Sequence, residues 1–212
     1  MQFTTLSLAL LAGSAAAFAP ASQQKASTSI NAFSVKDLPG ALEPMGLFDP
    51  LGFAAKADEK TLKRYREAEV THGRVAMLAT VGFLVGEKVE GSSFLFDASI
   101  HGPAITHLSQ VPGGFWAILL TIIGAAETKR AEVGWVDPSD VPVAQPGLLR
   151  DDYSPGDIGF DPLGLRPSDP EEYNVMATKE LQNGRLAMLA AAGFMAQELT
   201  DGQGILEHLS SN

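Results

Sequence analysis

The chain has 212 residues, no cysteine and a formal net charge of −10. Disulfides, thiolate metal sites and cysteine nucleophiles are therefore excluded, and the acidic balance argues against a general nucleic-acid binder. The mean hydropathy of +0.08 is high for a soluble protein and low for a many-span transporter.

Residues 1–17 read as a secretory signal: Leu6–Leu11 supply an apolar run, and Ala15-Ala16-Ala17 supply small residues for cleavage before Phe18. Residues 18–32 are rich in Ser and Ala and carry no acid, the composition of a plastid transit segment, and the first acidic residue is Asp37. Residues 33–212 form the remaining domain.

Three helices are predicted in it. The first runs from about Asp58 to Glu87, with Asp58 as N-cap. The second follows Pro112-Gly113-Gly114 and runs to about Val133. The third spans about 170–200, opened by Asp169-Pro170-Glu171, where Asp caps and Pro fits the first turn. A short amphipathic segment is expected after it. The connections are rich in Pro and Gly.

The first and third helices carry one segment twice. Glu69-Val-Thr-His72-Gly-Arg74-Val-Ala-Met-Leu-Ala-Thr-Val-Gly-Phe83 returns as Glu180-Leu-Gln-Asn183-Gly-Arg185-Leu-Ala-Met-Leu-Ala-Ala-Ala-Gly-Phe194, nine of fifteen positions being identical. Phe48-Asp-Pro-Leu-Gly52 returns as Phe160-Asp-Pro-Leu-Gly164. Repeats at nearly one offset argue for an internal duplication and two similar units packed face to face.

The uncharged runs Val75–Gly86, Val111–Ala126 and Leu186–Gln197 fall short of the roughly 20 residues of a membrane span. Spans over helices 1 and 3 must therefore include charges, which need pairing. Crossed about a pseudo-twofold axis, helix 1 and helix 3 set Glu69 against Arg185 and Glu180 against Arg74. Ala79, Gly82 and Gly86, with Ala187, Ala190 and Gly193, suit a close crossing. Alternating spans would place Lys56, Lys60, Lys63, Arg64, Arg66, Lys129, Arg130 and Lys179 on one side. Glu87, Glu90, Asp97, Glu198, Asp201 and Glu207 would lie on the other. The expected fold is an all-α membrane protein of three transmembrane helices.

Glu69 and His72 share one helix face, as do Glu180 and Asn183. Gln197 lies 14 residues past Asn183, on nearly the same face and about 21 Å away. A metal carried by an apolar macrocycle suits such groups, Mg²⁺ taking oxygen or imidazole ligands. Glu127, three residues before Arg130, has an ion-pair partner and a spare carboxylate oxygen. Taken singly, His72 is equally a buried hydrogen-bonded histidine, Asn183 an interhelical amide and Gln197 an end-of-helix polar residue. The acidic side reads first as a solvated face, with a set of pH sensors as the alternative.

The duplicated Glu-x-x-His/Asn-Gly-Arg-x-Ala-Met-Leu pattern and the Phe-Asp-Pro-Leu-Gly segments closely resemble the light-harvesting chlorophyll-binding superfamily over about residues 45–209. Loop form and leader are most similar to the fucoxanthin–chlorophyll a/c proteins of diatoms and related algae. The resemblance implies that Glu69, His72, Glu127, Glu180, Asn183 and Gln197 ligate chlorophyll Mg, that His208 resembles the family's C-terminal histidine ligand, and that Glu69–Arg185 and Glu180–Arg74 are ion pairs. Plant members carry a Gln where this chain has Leu119, which removes one accessory ligand. The implied cofactors are chlorophyll a, chlorophyll c, fucoxanthin and diadinoxanthin, with carotenoids beside the helix crossing. The implied partners are the thylakoid membrane, a photosystem I or II core and other antenna subunits in a larger complex, and no nucleic acid. The implied place is the plastid thylakoid membrane, as an integral multi-pass protein. The function so implied is a light-harvesting antenna, not an enzyme. A photoprotective, energy-dissipating relative shares those features. A di-iron carboxylate bundle, suggested by Glu69-x-x-His72, needs a second Glu-x-x-His and a fourth helix.

Overall fold

The computed structural model describes residues 39–42, 46–92, 99–141 and 147–211, all within one compact unit, Phe33–Asn212. The expected signal and transit segments, and Asp97, lie outside the described residues. Six helices occur among them: α1 (Phe53–Lys56), α2 (Glu59–Val89), α3 (Ala104–Gln110), α4 (Gly113–Gly134), α5 (Pro170–Asp201) and α6 (Ile205–Ser211). Helices were expected at about 58–87, 112–133 and 170–200; α1 and α3 were not anticipated, being shorter than the window in which periodicity shows.

Local chemistry sets the ends of α5. Asp169 accepts from the backbone N–H groups of Glu171 and Glu172, at 3.1 and 3.0 Å, satisfying two orphan donors of the first turn. Gly202 ends the helix at φ +66°, its N–H returning to the Glu198 carbonyl. At α2, Asp58 holds the N-cap position, but its side chain makes no capping hydrogen bond.

α2 and α5 cross at Gly73 and Gly184, where a Cβ built on either glycine would lie 3.0 Å from the other's Cα. Ten residues along, Phe83 and Phe194 meet edge-on with centroids 6.0 Å apart. Both contacts join equivalent positions of the repeat. A twofold axis must pass through both, so it runs lengthwise between two helices pointing the same way. Leu62, Val70, Ala76, Leu181, Ala187 and Ala191 are buried around this seam. The crossing was expected at Ala79, Gly82 and Gly86, yet Gly82 and Gly193 have nothing within 4 Å and Gly86 faces His107 instead. Straight crossed helices touch at one point, and Gly82 is nine residues, about 13 Å, beyond it.

The expectation of three transmembrane helices is overturned: among the described residues no single helix is long and apolar enough to cross a membrane. In α2 the uncharged run ends at Arg74 on one side and Glu87-Lys88 on the other, and in α5 at Arg185 and Glu198. In α4, Glu127, Lys129 and Arg130 shorten the apolar part. Only Ala104–Gln110 joined to Gly113–Gly134 passes by length and composition, and a 104° bend separates the two. The expected localisation as a multi-pass integral protein falls with the fold.

Different segments cover the two ends of the α2/α5 pair. At one end Glu87 accepts from Ile205 and Leu206 N–H at 2.8 and 2.7 Å, opening α6, while Glu198 accepts from Ile105 N–H at 2.7 Å, holding α3. At the other end the segment 147–157 folds back on α4. Val136 N–H donates to Leu148 O, Arg150 N–H donates to Gly134 O, and the Tyr153 ring lies against Gly134.

Candidate functional site

The centre of the site is the pair of crossed ion pairs. Arg185 donates from Nε to Glu69 Oε1 at 2.8 Å and sets Nη2 2.7 Å from the same oxygen. Arg74 donates from Nε to Glu180 Oε1 at 2.6 Å. Each arginine also reaches a glycine carbonyl: Arg185 Nη1 donates to Gly40 O at 2.7 Å and Arg74 Nη1 to Gly156 O at 2.8 Å. Gly40 and Gly156 have φ of +96° and +84°, and an added Cβ would meet Leu181 at 3.1 Å and Val70 at 2.8 Å, themselves equivalent positions. Only glycine combines that φ with that approach. The two Pro-Gly dipeptides are thus a third repeated segment. Sequence reasoning missed it because Pro-Gly occurs four times in the chain.

The symmetry is broken at Arg66, whose counterpart is Ala177. Arg66 Nη1 lies 2.9 Å from Glu69 Oε2, so Glu69 faces two guanidinium groups and Glu180 one. Burial pushes the Arg66 pKa down, Glu69 opposes that and Arg185 adds to it.

The expected ligand atoms can be tested against this geometry. His72 Nδ1 lies 2.7 Å from the Ala68 carbonyl. A carbonyl only accepts, so Nδ1 carries a proton; in the neutral ring the lone pair is then on Nε2 of an exposed side chain, the arrangement of a metal-binding imidazole. Glu180 uses Oε1 for Arg74; Oε2 accepts no bond among the described residues. Both Glu69 oxygens face arginines, yet each carboxylate oxygen has two lone pairs. Asn183 is exposed. Gln197 Nε2 is buried with no hydrogen-bond partner, so its amide is the one orphan among these groups. His208 Nδ1 lies 3.3 Å from Asp201 Oδ2. Carboxylate and amide oxygens and an imidazole nitrogen are ligand types that Mg²⁺ accepts.

Glu127 belongs to a second cluster. Arg130 Nη1 donates to Glu127 Oε2 at 2.6 Å and Arg130 Nε donates to Glu67 Oε1 at 2.8 Å. Glu67 Oε2 accepts from the Tyr153 hydroxyl at 2.9 Å and from Gly156 N–H at 2.7 Å. Glu67 is 3% exposed. Burial and the adjacent Glu67 carboxylate push the Tyr153 pKa up to about 12, so it remains a donor at any ordinary pH. Sequence reasoning found Glu127 and Arg130 but not Glu67 or Tyr153; an acid two residues before Glu69 reads as surface until the 150–157 segment is seen to cover it.

Around these polar centres the surface is apolar. Thr71, His72, Val75, Ala76 and Ala79 of α2 face Met188, Ala191, Ala192 and Met195 of α5 across a groove of about 450 Å³. Leu78, Leu186 and Leu189 are exposed on α2 and α5, and Ile118, Leu120 and Ile122 on α4. The two repeated loops are built alike. Asp49 accepts from the N–H groups of Phe53 and Ala54, and Asp161 from those of Leu165 and Arg166, four and five residues on in both. Each turn leaves its Phe and Leu exposed: Phe48 and Leu51, Phe160 and Leu163.

Comparison with known proteins decides the family. The chlorophyll A-B binding protein family model matches residues 34–199. The chain belongs to that family. It is similar to the chloroplastic light-harvesting complex stress-related protein 3.2 of Chlamydomonas reinhardtii, 54% identical over 82% of this chain and 68% of the relative. It is similar also to the chloroplastic fucoxanthin-chlorophyll a-c binding protein of Isochrysis galbana, 49% identical over 78% and 77%, and to that of Chattonella marina var. antiqua, 32% identical over 100% and 94%. The expected special likeness to fucoxanthin-binding proteins is thereby corrected, since the stress-related protein stands above both in identity. As a member of the chlorophyll A-B binding family the protein is a light-harvesting protein of plastid origin, not an enzyme. It binds chlorophyll, as the family description states.

Proposed function

We propose that the protein is an antenna subunit in which Glu69, His72, Glu127, Glu180, Asn183 and Gln197, with His208 at the C-terminal end, hold chlorophyll Mg. The observation that carries this is the pairing at one crossing of Glu69–Arg185 and Arg74–Glu180 beside the protonated Nδ1 of His72. The exposed apolar residues Leu78, Leu186 and Leu189 on the same two helices support this reading. Bound chlorophyll and carotenoid supply the light absorption and the excited states that pass to a photosystem I or II core. The chain's work is positional: the ion pairs fix the ligand-bearing turns, the repeated loops fix Phe48, Leu51, Phe160 and Leu163, and the apolar groove excludes water from whatever ring or polyene lies in it. We assign chlorophyll a, chlorophyll c and fucoxanthin as the pigments, supported by the likeness to the two fucoxanthin-chlorophyll a-c binding proteins, and diadinoxanthin on the family resemblance alone.

A second reading, dissipation of excitation in place of its transfer, has two observations behind it: the likeness to a stress-related protein and the facing acids Glu87 and Glu198. Refolding the full chain with chlorophylls a and c, fucoxanthin and diadinoxanthin tests both. Bound pigments of all classes and a long chlorophyll emission lifetime at neutral and acidic pH are expected of the antenna. A lifetime that shortens on acidification selects the dissipative role, and a folded chain that retains no pigment contradicts both.

A further inference from the structure

Glu127 stands on α4, a helix whose side chains are almost all exposed, including Phe115, Ile118, Leu120, Ile122 and Ile123. The polar turn of α4 is held from elsewhere. Its anchor is Glu67 of α2, which fills one oxygen with Arg130 Nε and the other with the Tyr153 hydroxyl and Gly156 N–H. Gly156 in turn gives its carbonyl to Arg74 Nη1, and Arg74 Nε binds Glu180. A continuous chain of hydrogen bonds thus runs Glu127–Arg130–Glu67–Gly156–Arg74–Glu180.

We propose that Glu67 is the positioning residue for the Glu127 pigment ligand, and that through Gly156 it ties that site to the Arg74–Glu180 pair at the crossing. This rests on the assignment of Glu127 as a ligand. The chemistry follows from what a guanidinium does when released. Arginine binds a carboxylate best in a fork, two N–H groups to two oxygens. Here Glu67 holds Nε, so Arg130 reaches Glu127 through Nη1 alone and engages only Oε2. Glu127 is 55% exposed at its side chain, and its Oε1 accepts no hydrogen bond among the described residues. Without Glu67, Arg130 closes bidentately on Glu127 and removes that oxygen from any metal. Glu67 is buried with both oxygens hydrogen-bonded, and Tyr153 packs against Gly134 at the end of α4.

The test uses the full chain refolded with chlorophyll a and a carotenoid extract, the pigmented fraction isolated, and its absorption resolved into bands. Three variants are compared: Glu127→Ala, Glu67→Gln and Tyr153→Phe. Glu127→Ala is expected to lose one chlorophyll per chain and its band. Glu67→Gln is expected to lose or displace that same band with the others kept, and Tyr153→Phe to displace it by less. A wild-type band in Glu67→Gln, or a loss spread evenly over all bands, overturns the positioning role. If Glu67→Gln yields no pigmented protein, Tyr153→Phe decides, and an unmoved band there overturns it. A Glu127→Ala spectrum equal to wild type contradicts the ligand assignment instead, and the proposal falls with it.

Discussion

At the residue scale, the crossed arginines do two things at once, each binding a carboxylate and a glycine carbonyl. The Arg74–Glu180 side chains are 41% and 38% exposed, so their direct attraction is nearer the ~1 kcal/mol of surface pairs than the ~3–5 kcal/mol lost on breaking a buried one. On the proposed assignment, Glu180→Ala nevertheless removes a ligand and an Arg74 partner together, whereas His72→Ala removes a ligand alone. Pigment yield on refolding is expected to fall further for Glu180→Ala, and equal yields would show that the pair contributes nothing to assembly. Gly156→Ala forces a side chain into φ +84° and against Val70 Cγ1 at 2.8 Å; a loss of about 1–3 kcal/mol in urea unfolding is expected from strain and overpacking. Much of this site was legible in the sequence, because Glu69, Arg74, Glu180 and Arg185 repeat at one spacing. Glu67, Tyr153, Gly40 and Gly156 were not, because their roles depend on loops whose approach no periodicity reports.

At the element scale, the α2/α5 crossing is fixed by Gly73 and Gly184 touching backbone to backbone. Gly73→Ala puts a Cβ 3.0 Å from Gly184 Cα, and backbone cannot yield as a side-chain tip does; a destabilisation of about 1–3 kcal/mol is expected by urea unfolding, with Gly82→Ala near neutral. The sequence indicated small residues on these helices but not the contact point, since Gly73, Gly82 and Gly86 look alike until the crossing is located. At the far end Glu198 is 2% exposed, and burial with the Glu87 carboxylate beside it pushes its pKa above the ordinary 4.5, against the lowering effect of Ile105 N–H. The folded state therefore holds this proton more tightly than the unfolded chain, so ionised Glu198 is a cost above its folded pKa that is relieved as pH falls through that value towards 4.5. Glu198→Gln keeps the bond from Ile105 and lets the amide donate to Glu87. Its stability advantage over wild type is expected to be full above the folded pKa and to vanish below 4.5. A pH-independent difference in urea midpoints would show that Glu198 gains no proton affinity on folding.

On the scale of the whole molecule, the described residues bury no large side chain completely and expose many. A fold held mainly by one helix seam is short of core, and apolar faces of this extent mark binding surfaces. Helical content, duplication and polar constellation were all readable, since each leaves a repeat or a period. Membrane spans were inferred from charge sorting, and the helices did not supply the length of apolar surface that spans require. If pigments cover these faces, ligation is linked to folding: the pigmented protein should melt well above the pigment-free chain, by about 4 kcal/mol of added stability at a thousandfold excess over Kd.

The most direct test of the central claim, that the duplicated ligand pairs hold pigments in fixed relation, is a fluorescence-excitation spectrum of the full chain refolded with chlorophyll a and carotenoid. Carotenoid and chlorophyll bands that both drive chlorophyll a emission, with the carotenoid contribution lost when Glu69 and Glu180 are both replaced by Ala, are the predicted result. A folded chain whose bound carotenoid does not sensitise chlorophyll emission would contradict it.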